Sequence, residues 1–517
     1  MAESLLTLAE RKFGTLTEAE RRLFSAIVEG RYPDFSSVQG AENDPAGAES
    51  WPAERTIAAD RITWLATDRE ALPHVTHRGI GLKGARIVGR IDLQAANIEF
   101  ALYFERCALS AGINLLAAEI HALNLSGCRT GRITADGMKV EAGVFLRAGC
   151  VVQGRVRLLG AKIGGNLDCQ AGTFLGGEGE ALGADGIEVA GSVLLNQGFR
   201  AFGAVRLLGA KIGGNLDCEQ GYFDNPAGDA IAADRAKIEG DVFFCDGFRA
   251  RGRVGLPSVV CSSFFVWRDV AEPEQTVLDL RSAKIGTFWI TRDSWPAAGK
   301  LILHGLTFDE LDDQQSLTAE TWIELLRRQP AQPFRPQPYE QLAAVLRKDG
   351  HVAEAKAVLH AKEFDRARLT QLTWSQWPWY RIFGPLIGFG YKPWRAFFVS
   401  IGVVIVGTIL FGLGNRQGLM TPAKAEAYEA GSPRVLSEHY PQLNAFMYSL
   451  DTFTPLISLD QADYWLPNSA RGTEYSLGVG RVTTGGLLRI YMWFHIIAGW
   501  VLSTLLFVGL SGAVSGE

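Results

Sequence analysis

RLLGAKIGGNLDC stands at residues 157–169 and again, letter for letter, at residues 206–218, a shift of 49. The text between the copies repeats too. EALGADGIEVAGSVLLNQGFRAFG from Glu180 aligns with DAIAADRAKIEGDVFFCDGFRARG from Asp229. Inside the long period runs a shorter one, glycine–x–apolar–x–apolar. It is seen at Gly89 (Ile91, Leu93), Gly154 (Val156, Leu158), Gly165 (Leu167, Cys169), Gly191 (Val193, Leu195), Gly214 (Leu216, Cys218) and Gly240 (Val242, Phe244), with further copies at Gly203 and Gly252. Neighbouring copies are mostly eleven or twelve residues apart, or about twenty-six where a loop intervenes. Alternation puts both apolar side chains on one face of a short strand, and the glycine permits the corner before it. Strands this short cannot bury a core alone and must stack coil on coil. A period of two excludes amphipathic helices, and the asparagine-bearing consensus of a leucine-rich repeat is missing. The expected fold is mainly β: a right-handed, pentapeptide-like β-solenoid over residues 79–310.

Cys169 and Cys218 fall on inward positions and read as small hydrophobes in the core. Between the inward pairs lies one outward residue per copy: Asp92, Asp168, Leu194, Asp217, Phe243. Leu194 and Phe243 make this a candidate interaction strip. The alternative is a strip covered by the protein's own loops or helices.

Outward from the repeats, residues 1–78 read mostly as a helical cap. Thr17-x-x-Glu20 is a capping box that opens a helix through Ile27, and a second helix is expected over 52–72. Such a cap would cover the solenoid's open edge strand. Residues 311–372 read as a helical linker. There YEQLAAVLRKDGHVAEAKAVLHAKE forms a hairpin that turns at Asp349-Gly350, similar to one tetratricopeptide-type unit.

Residues 396–414, AFFVSIGVVIVGTILFGLG, carry no charge over nineteen positions. At 1.5 Å per residue they reach about 28 Å, close to the ~30 Å hydrocarbon core of a bilayer. Residues 490–514 are a second charge-free run, with His495 as the ionisable side chain and Tyr491, Trp493 and Trp500 as an aromatic belt. Before the first span, 373–395 holds four tryptophans and suits the headgroup layer. With no secretory signal visible and Arg381, Lys392 and Arg395 flanking the span, both termini are expected in the cytoplasm of an inner (plasma) membrane. The loop at 415–489 also carries basic residues, so charge alone does not settle orientation.

That loop is expected to be extracytoplasmic or re-entrant. Its apolar stretch at 443–467 is interrupted by Asp451, Asp460 and Asp463, so it does not span. Span, short helix (445–453), polar turn, span is the order of a pore unit in two-span cation channels. A pore would need several subunits, with Asp451, Asp460 and Asp463 as the candidate pore mouth. No TVGYG-like filter follows Thr454. The other reading is an amphipathic helix lying on the bilayer.

A net charge of −5 and pI near 6.0 give no electrostatic footprint for nucleic acid. Seven cysteines, Cys107 to Cys261, stand singly, without CxxC pairs or a cysteine–histidine cluster. Neither a zinc site nor a disulfide framework is indicated. Gly79-x-Gly81-x-x-Gly84 matches the dinucleotide fingerprint as a string, but the strand-like ARIVGRIDLQ follows it where a helix is required. No Walker loop, HExxH or GxSxG occurs. Catalytic, cofactor-binding and metal residues are therefore expected to be none.

The whole pattern resembles a family of bacterial proteins that join pentapeptide-like solenoids to a two-span, ion-channel-like segment. The matching residues are the LLGAKIGGNLDC repeats, the PYEQLAAVLRKDGHVAEAKAVL hairpin, GYKPWRA, YSLDTFTPLISL and HIIAGWVLSTLLFVGLSGAV. Relatives are often labelled membrane-associated oxidoreductase, which implies a redox activity without a cofactor motif in this chain. The expected function is a membrane-anchored interaction or sensing module. Its expected partners are the lipid bilayer and an unknown protein, with a possible homo-oligomer and no nucleic acid. The alternatives are an oligomeric cation pore and an oxidoreductase.

Overall fold

The computed structural model describes residues 3–312, 318–392, 394–424, 427–429, 432–455, 457–477 and 480–510. The chain divides into two units, Met1–Val358 and Leu359–Glu517.

The first unit opens with α1 (Leu5–Phe13) and α2 (Glu18–Val28). Thr17 and Glu20 exchange both hydrogen bonds of the capping box. The helix expected over 52–72 is shorter: α3 covers only Ala59–Thr67. Before it, Thr56–Ala58 is extended and pairs in parallel with Arg86–Val88. Pairing with the first coil outweighs local helix preference there, and the cap supplies a strand as well as helices.

Residues 80–311 form a β-solenoid of about ten turns. One coil shows the plan. Val151–Gln153 and Val156–Arg157 lie in one sheet, while Lys162–Ile163 and Leu167–Asp168 lie in the other. Every pairing in the two sheets is parallel, coil on coil. Thr173 pairs with Arg200, and Arg200 with Tyr222. The 49-residue repeat is thus one coil of 27 residues and one of 22. The longer coils bulge between Leu175 and Leu182, and between Asp224 and Ile231.

Inward columns fill the interior. Leu167, Val193, Leu216 and Val242 are at most 1 % exposed. Phe174, Phe199, Phe223 and Phe248 follow one another in edge-on or tilted contact, with centroids 5.1, 5.6 and 5.5 Å apart. Each such side chain contributes roughly 1.5–3 kcal/mol by burial.

The corners follow the sequence reading in part: the motif glycines Gly89, Gly154, Gly203 and Gly252 all have positive φ. A further column of left-handed residues runs through Ala95, Ala117, Gly137, Gly160, Gly186, Gly209, Arg235, Ser258, Ser282 and Gly305. Half of them are not glycine, and none belongs to the glycine–x–apolar–x–apolar motif. Motif glycines on the second sheet are required by close approach instead. A Cβ at Gly191 would collide with Asn166 Oδ1, and one at Gly240 with Asn215 Oδ1. Those side chains belong to a ladder. Asn166 Oδ1 accepts from Ser192 N (2.8 Å), Ser192 Oγ from Asn215 N (3.0 Å), and Asn215 Oδ1 from Asp241 N (2.9 Å).

After the last coil come α4 (Ala319–Leu326), α5 (Gln337–Lys348) and α6 (Val352–Leu369), the last two joined at Asp349-Gly350. Gln337 Nε2 donates to Leu306 O (2.8 Å) and Gln341 Nε2 to Phe308 O (2.7 Å). The hairpin, read as a linker, thus also satisfies carbonyls of the final edge strand.

The unit boundary falls within α6. The second unit continues through α7 (Gly384–Ile387), α8 (Trp394–Arg416), α9 (Ala445–Phe453), α10 (Gln461–Tyr464) and α11 (Thr484–Leu510). α8 and α11 are long and apolar enough to cross a membrane, with 22 % of either apolar window buried. Both extend past the charge-free runs. α8 takes in Arg395 and Arg416, and α11 begins six residues before Ile490. Residues 511–514 of the expected second span lie outside the described residues. The short helix has the expected bounds. The loop also forms strands not read from the sequence: Met420–Pro422 pairs with Trp465–Pro467, and Glu474–Leu477 with Gly480–Thr483.

Candidate functional site

The outward strip exists as a register column. Phe145, Asp168, Leu194, Asp217, Phe243, Val266 and Trp289 follow one another in successive coils. Asp92 is not in it; it lies on the other sheet, opposite Asn114. Half-coils alternate between sheets, and a period of eleven or twelve does not separate them. The aspartates are structural. Arg147 donates to Asp168 (2.9 Å), and Asn196 Nδ2 to Asp217 (2.6 Å). Leu194 is half-buried between them, so it forms no apolar patch with Phe243. From Phe243 onward the column turns apolar through buried Val266 and half-buried Trp289. The repeat decays there, and only the alternation in SSFFVWR could have extended the strip.

A parallel column on the second sheet carries Glu119, Lys139, Lys162, Glu188, Lys211 and Lys237 along an open trough. Glu119 pairs with Lys139 (2.6 Å), and Glu188 with both Lys162 (3.1 Å) and Lys211 (2.8 Å). Hydrogen bonds from Lys211 and Lys162 hold the Glu188 carboxyl below its usual range. Glu119 thus offsets Lys139, and Glu188 is shared by Lys162 and Lys211.

All seven cysteines are buried and free. Burial pushes the Cys150 thiol up to about 12 and that of Cys261 up to about 11; Cys128, Cys169 and Cys218 move the same way. Such thiols are poor nucleophiles. Cys245 Sγ lies 3.4 Å from Glu219 and 3.9 Å from Asp246, a set that sequence reading did not single out. Arg268 bonds Asp246 at 3.0 Å, so a guanidinium already supplies positive charge there. Gly79, Gly81 and Gly84 flank and occupy the strand Ile80–Lys83, and the strand Arg86–Val88 follows them. The helix N-terminus that a dinucleotide site requires is not at this position. Gly81 instead makes room for the Tyr32 ring, and Gly84 for Ser36.

In the second unit, α9 packs against both α8 and α11. Ser449 Oγ donates to Val404 O (2.9 Å) and lies 3.2 Å from His495 Nε2, itself 3.0 Å from Ser449 O. Tyr491 OH is 3.3 Å from His495 Nδ1. His495 is fully buried, an interhelical contact. Glycines allow this approach: a Cβ at Gly407 would strike Ser449 and His495, and one at Gly499 the Phe453 carbonyl. Of the pore-mouth candidates, Asp451 is engaged in folding the loop back, accepting from Leu459 N (2.7 Å) and Ala462 N (2.8 Å). Asp460 and Asp463 are exposed.

Comparison with family models, with curated proteins and with solved structures found no match to this chain.

Proposed function

We infer that this chain is an inner-membrane anchor protein whose solenoid serves, on the cytoplasmic side, as an interaction or sensing module. One observation carries the reading: α8 and α11 leave long apolar faces uncovered, including Phe398, Ile405, Phe494, Ile497 and Phe507, in a chain that also carries a repeat domain built of regular outward columns. Apolar surface of that extent needs lipid or protein around it. A right-handed coil belongs to the reading, supported by the general hand of parallel β connections. The part-exposed apolar residues at the end of the strip, Phe243 and Trp289, are the partner surface. Alkaline carbonate extraction tests the anchor: the full chain stays in the membrane pellet, and release into the supernatant overturns the reading. Phe243→Asp tests the surface, abolishing recovery of a partner that the wild-type chain recovers while leaving the chain folded.

The seating of α9 against both long helices favours a second reading, an oligomeric cation pore with Asp460 and Asp463 at its mouth. In planar bilayers that pore would pass cation current, lowered by Asp460→Asn. Silence at oligomer-forming densities removes this reading.

A further inference from the structure

A hollow of about 480 Å³ opens beside the start of α11, between Thr483, Gly486, Arg489 and Trp493 on the helix side and Ser469 and Arg481 of the loop. Helical spacing makes it. Gly486, Arg489 and Trp493 stand three and four residues apart, on one face of α11, and the glycine leaves the first turn of that face bare. Two guanidiniums border the hollow, and no carboxylate is among its described lining residues. Arg481 reaches Glu474 only at 3.9 Å, with both side chains largely exposed, so the pair neutralises little. Arg489 is half-buried, and its Nε is enclosed without a hydrogen-bond partner. Among the described residues, no carboxylate pairs with it.

A half-buried guanidinium without a counter-charge is costly, and an anion in the hollow that Arg489 lines removes that cost. Side chains must hold this anion, because the first N–H groups of α11 are already taken. Thr484 N donates to Thr473 O (3.0 Å), Gly485 N to Arg471 O (3.0 Å) and Gly486 N to Thr483 Oγ1 (3.0 Å). The rest of the helix face says which anion fits. Below Arg489 it continues as Ile490, Trp493, Ile497 and Trp500, each more than half exposed. A small hydrated ion leaves that apolar face uncovered. An anion that carries acyl chains covers it, with Trp493 at the depth where aromatic rings meet headgroups. We propose that Arg481 and Arg489 hold the phosphate of an anionic phospholipid in the leaflet where α11 begins, its chains lying along Ile490, Ile497 and Trp500.

This site rests on the membrane reading of α8 and α11, and the test separates the two. Flotation of the full-length protein with liposomes in alkaline carbonate reads insertion by itself. Native mass spectrometry then counts the lipid kept by inserted protein after reconstitution in phosphatidylglycerol or phosphatidylcholine. Wild type should keep phosphatidylglycerol preferentially. Arg489→Gln should weaken that retention about fivefold, as expected for one cation near a charged surface. Arg481→Gln, at an exposed position whose change leaves the fold intact, should weaken it as well. Arg416→Gln is the control and should change nothing. Arg416 ends α8 level with the site, since a Cβ at Gly414 would strike Leu488 of α11. Equal retention of the two lipids overturns the site, as does wild-type retention in both other arginine variants. An equal loss in Arg416→Gln also overturns it, by showing diffuse surface charge in place of a site. Displacement of the lipid by millimolar inorganic phosphate does so too, by showing a small-anion site, and so does a lipid-free dimer whose second copy covers the helix face. Failure of the wild type to float would instead remove the membrane reading beneath it.

Discussion

The solenoid and the C-terminal helices solve the same problem, bringing backbone close to backbone, in opposite ways. In the solenoid each contact is one rung of a column: Leu146, Cys169, Leu195 and Cys218 repeat one inward position, and Asn166, Ser192 and Asn215 one outward bond. In the helical unit the contacts are singular. Gly407, Ser449 and His495 meet at one place, and Gly499 meets the Phe453 carbonyl at another. A column distributes stability over equivalent interfaces, as expected of a quasi-one-dimensional array. A singular node concentrates it.

The largest effect expected tests the equivalence of the columns. Leu146→Ala and Leu195→Ala each remove a side chain at most 1 % exposed from the same position of different coils, so each should cost about 3 kcal/mol. Chemical denaturation of the full chain in detergent, read by far-UV circular dichroism, would show it. A difference above roughly 1 kcal/mol between the two would break the column description, since distant equivalent sites are expected to behave alike and independently. The next effect probes one of the singular contacts. Gly499→Ala forces the Phe453 carbonyl away and should cost about 2 kcal/mol by overpacking. A cysteine pair placed across α9 and α11 should then cross-link more slowly, while solenoid melting stays unchanged. Coupled loss of both transitions would contradict the contrast.

The same contrast decides what could be read from sequence. Columns leave a periodic trace, so Val193, Leu216, Cys169 and Cys218 could be placed inside without coordinates. The bounds of α9 were equally legible, because Asn444 caps its start and proline follows its end. Two things were not legible. Assignment to one sheet or the other needs the coil length, and a half-coil spacing conceals it; hence Asp92 was grouped with residues of another sheet. Singular contacts leave no period at all, which is why Arg481 and Arg489 on one hollow, or the pairing of Met420–Pro422 with Trp465–Pro467, escaped notice. Asp451 looked like a pore acid because a charge in an apolar stretch signals function. Its two backbone bonds, which hold the loop back on the helix, are a singular contact that left no trace in the sequence.

The smallest effect concerns a rung where the column itself fails. Asp136 accepts from Arg157, and Asp185 from Arg206 (2.7 Å), each also holding a backbone N–H of the next coil. Asp234 continues this position, but its neighbouring coil has Gly255 in the place of the arginine. The Arg253 guanidinium fills that space and bonds Asp279 and Asp229. Burial therefore raises the Asp234 carboxyl above its usual range. A carboxyl raised on folding favours the folded state only when protonated, so ionised Asp234 opposes folding at neutral pH and ceases to as pH falls through its raised value. Asp234→Asn should thus be neutral or slightly stabilising at neutral pH, and its advantage over wild type should shrink on acidification. Asp185→Asn loses a charge-assisted bond and should cost about 1 kcal/mol under the same neutral conditions. Thermal melts of both variants across that pH range decide the matter: if Asp234→Asn destabilises as much as Asp185→Asn, the missing arginine has a substitute and the column is unbroken.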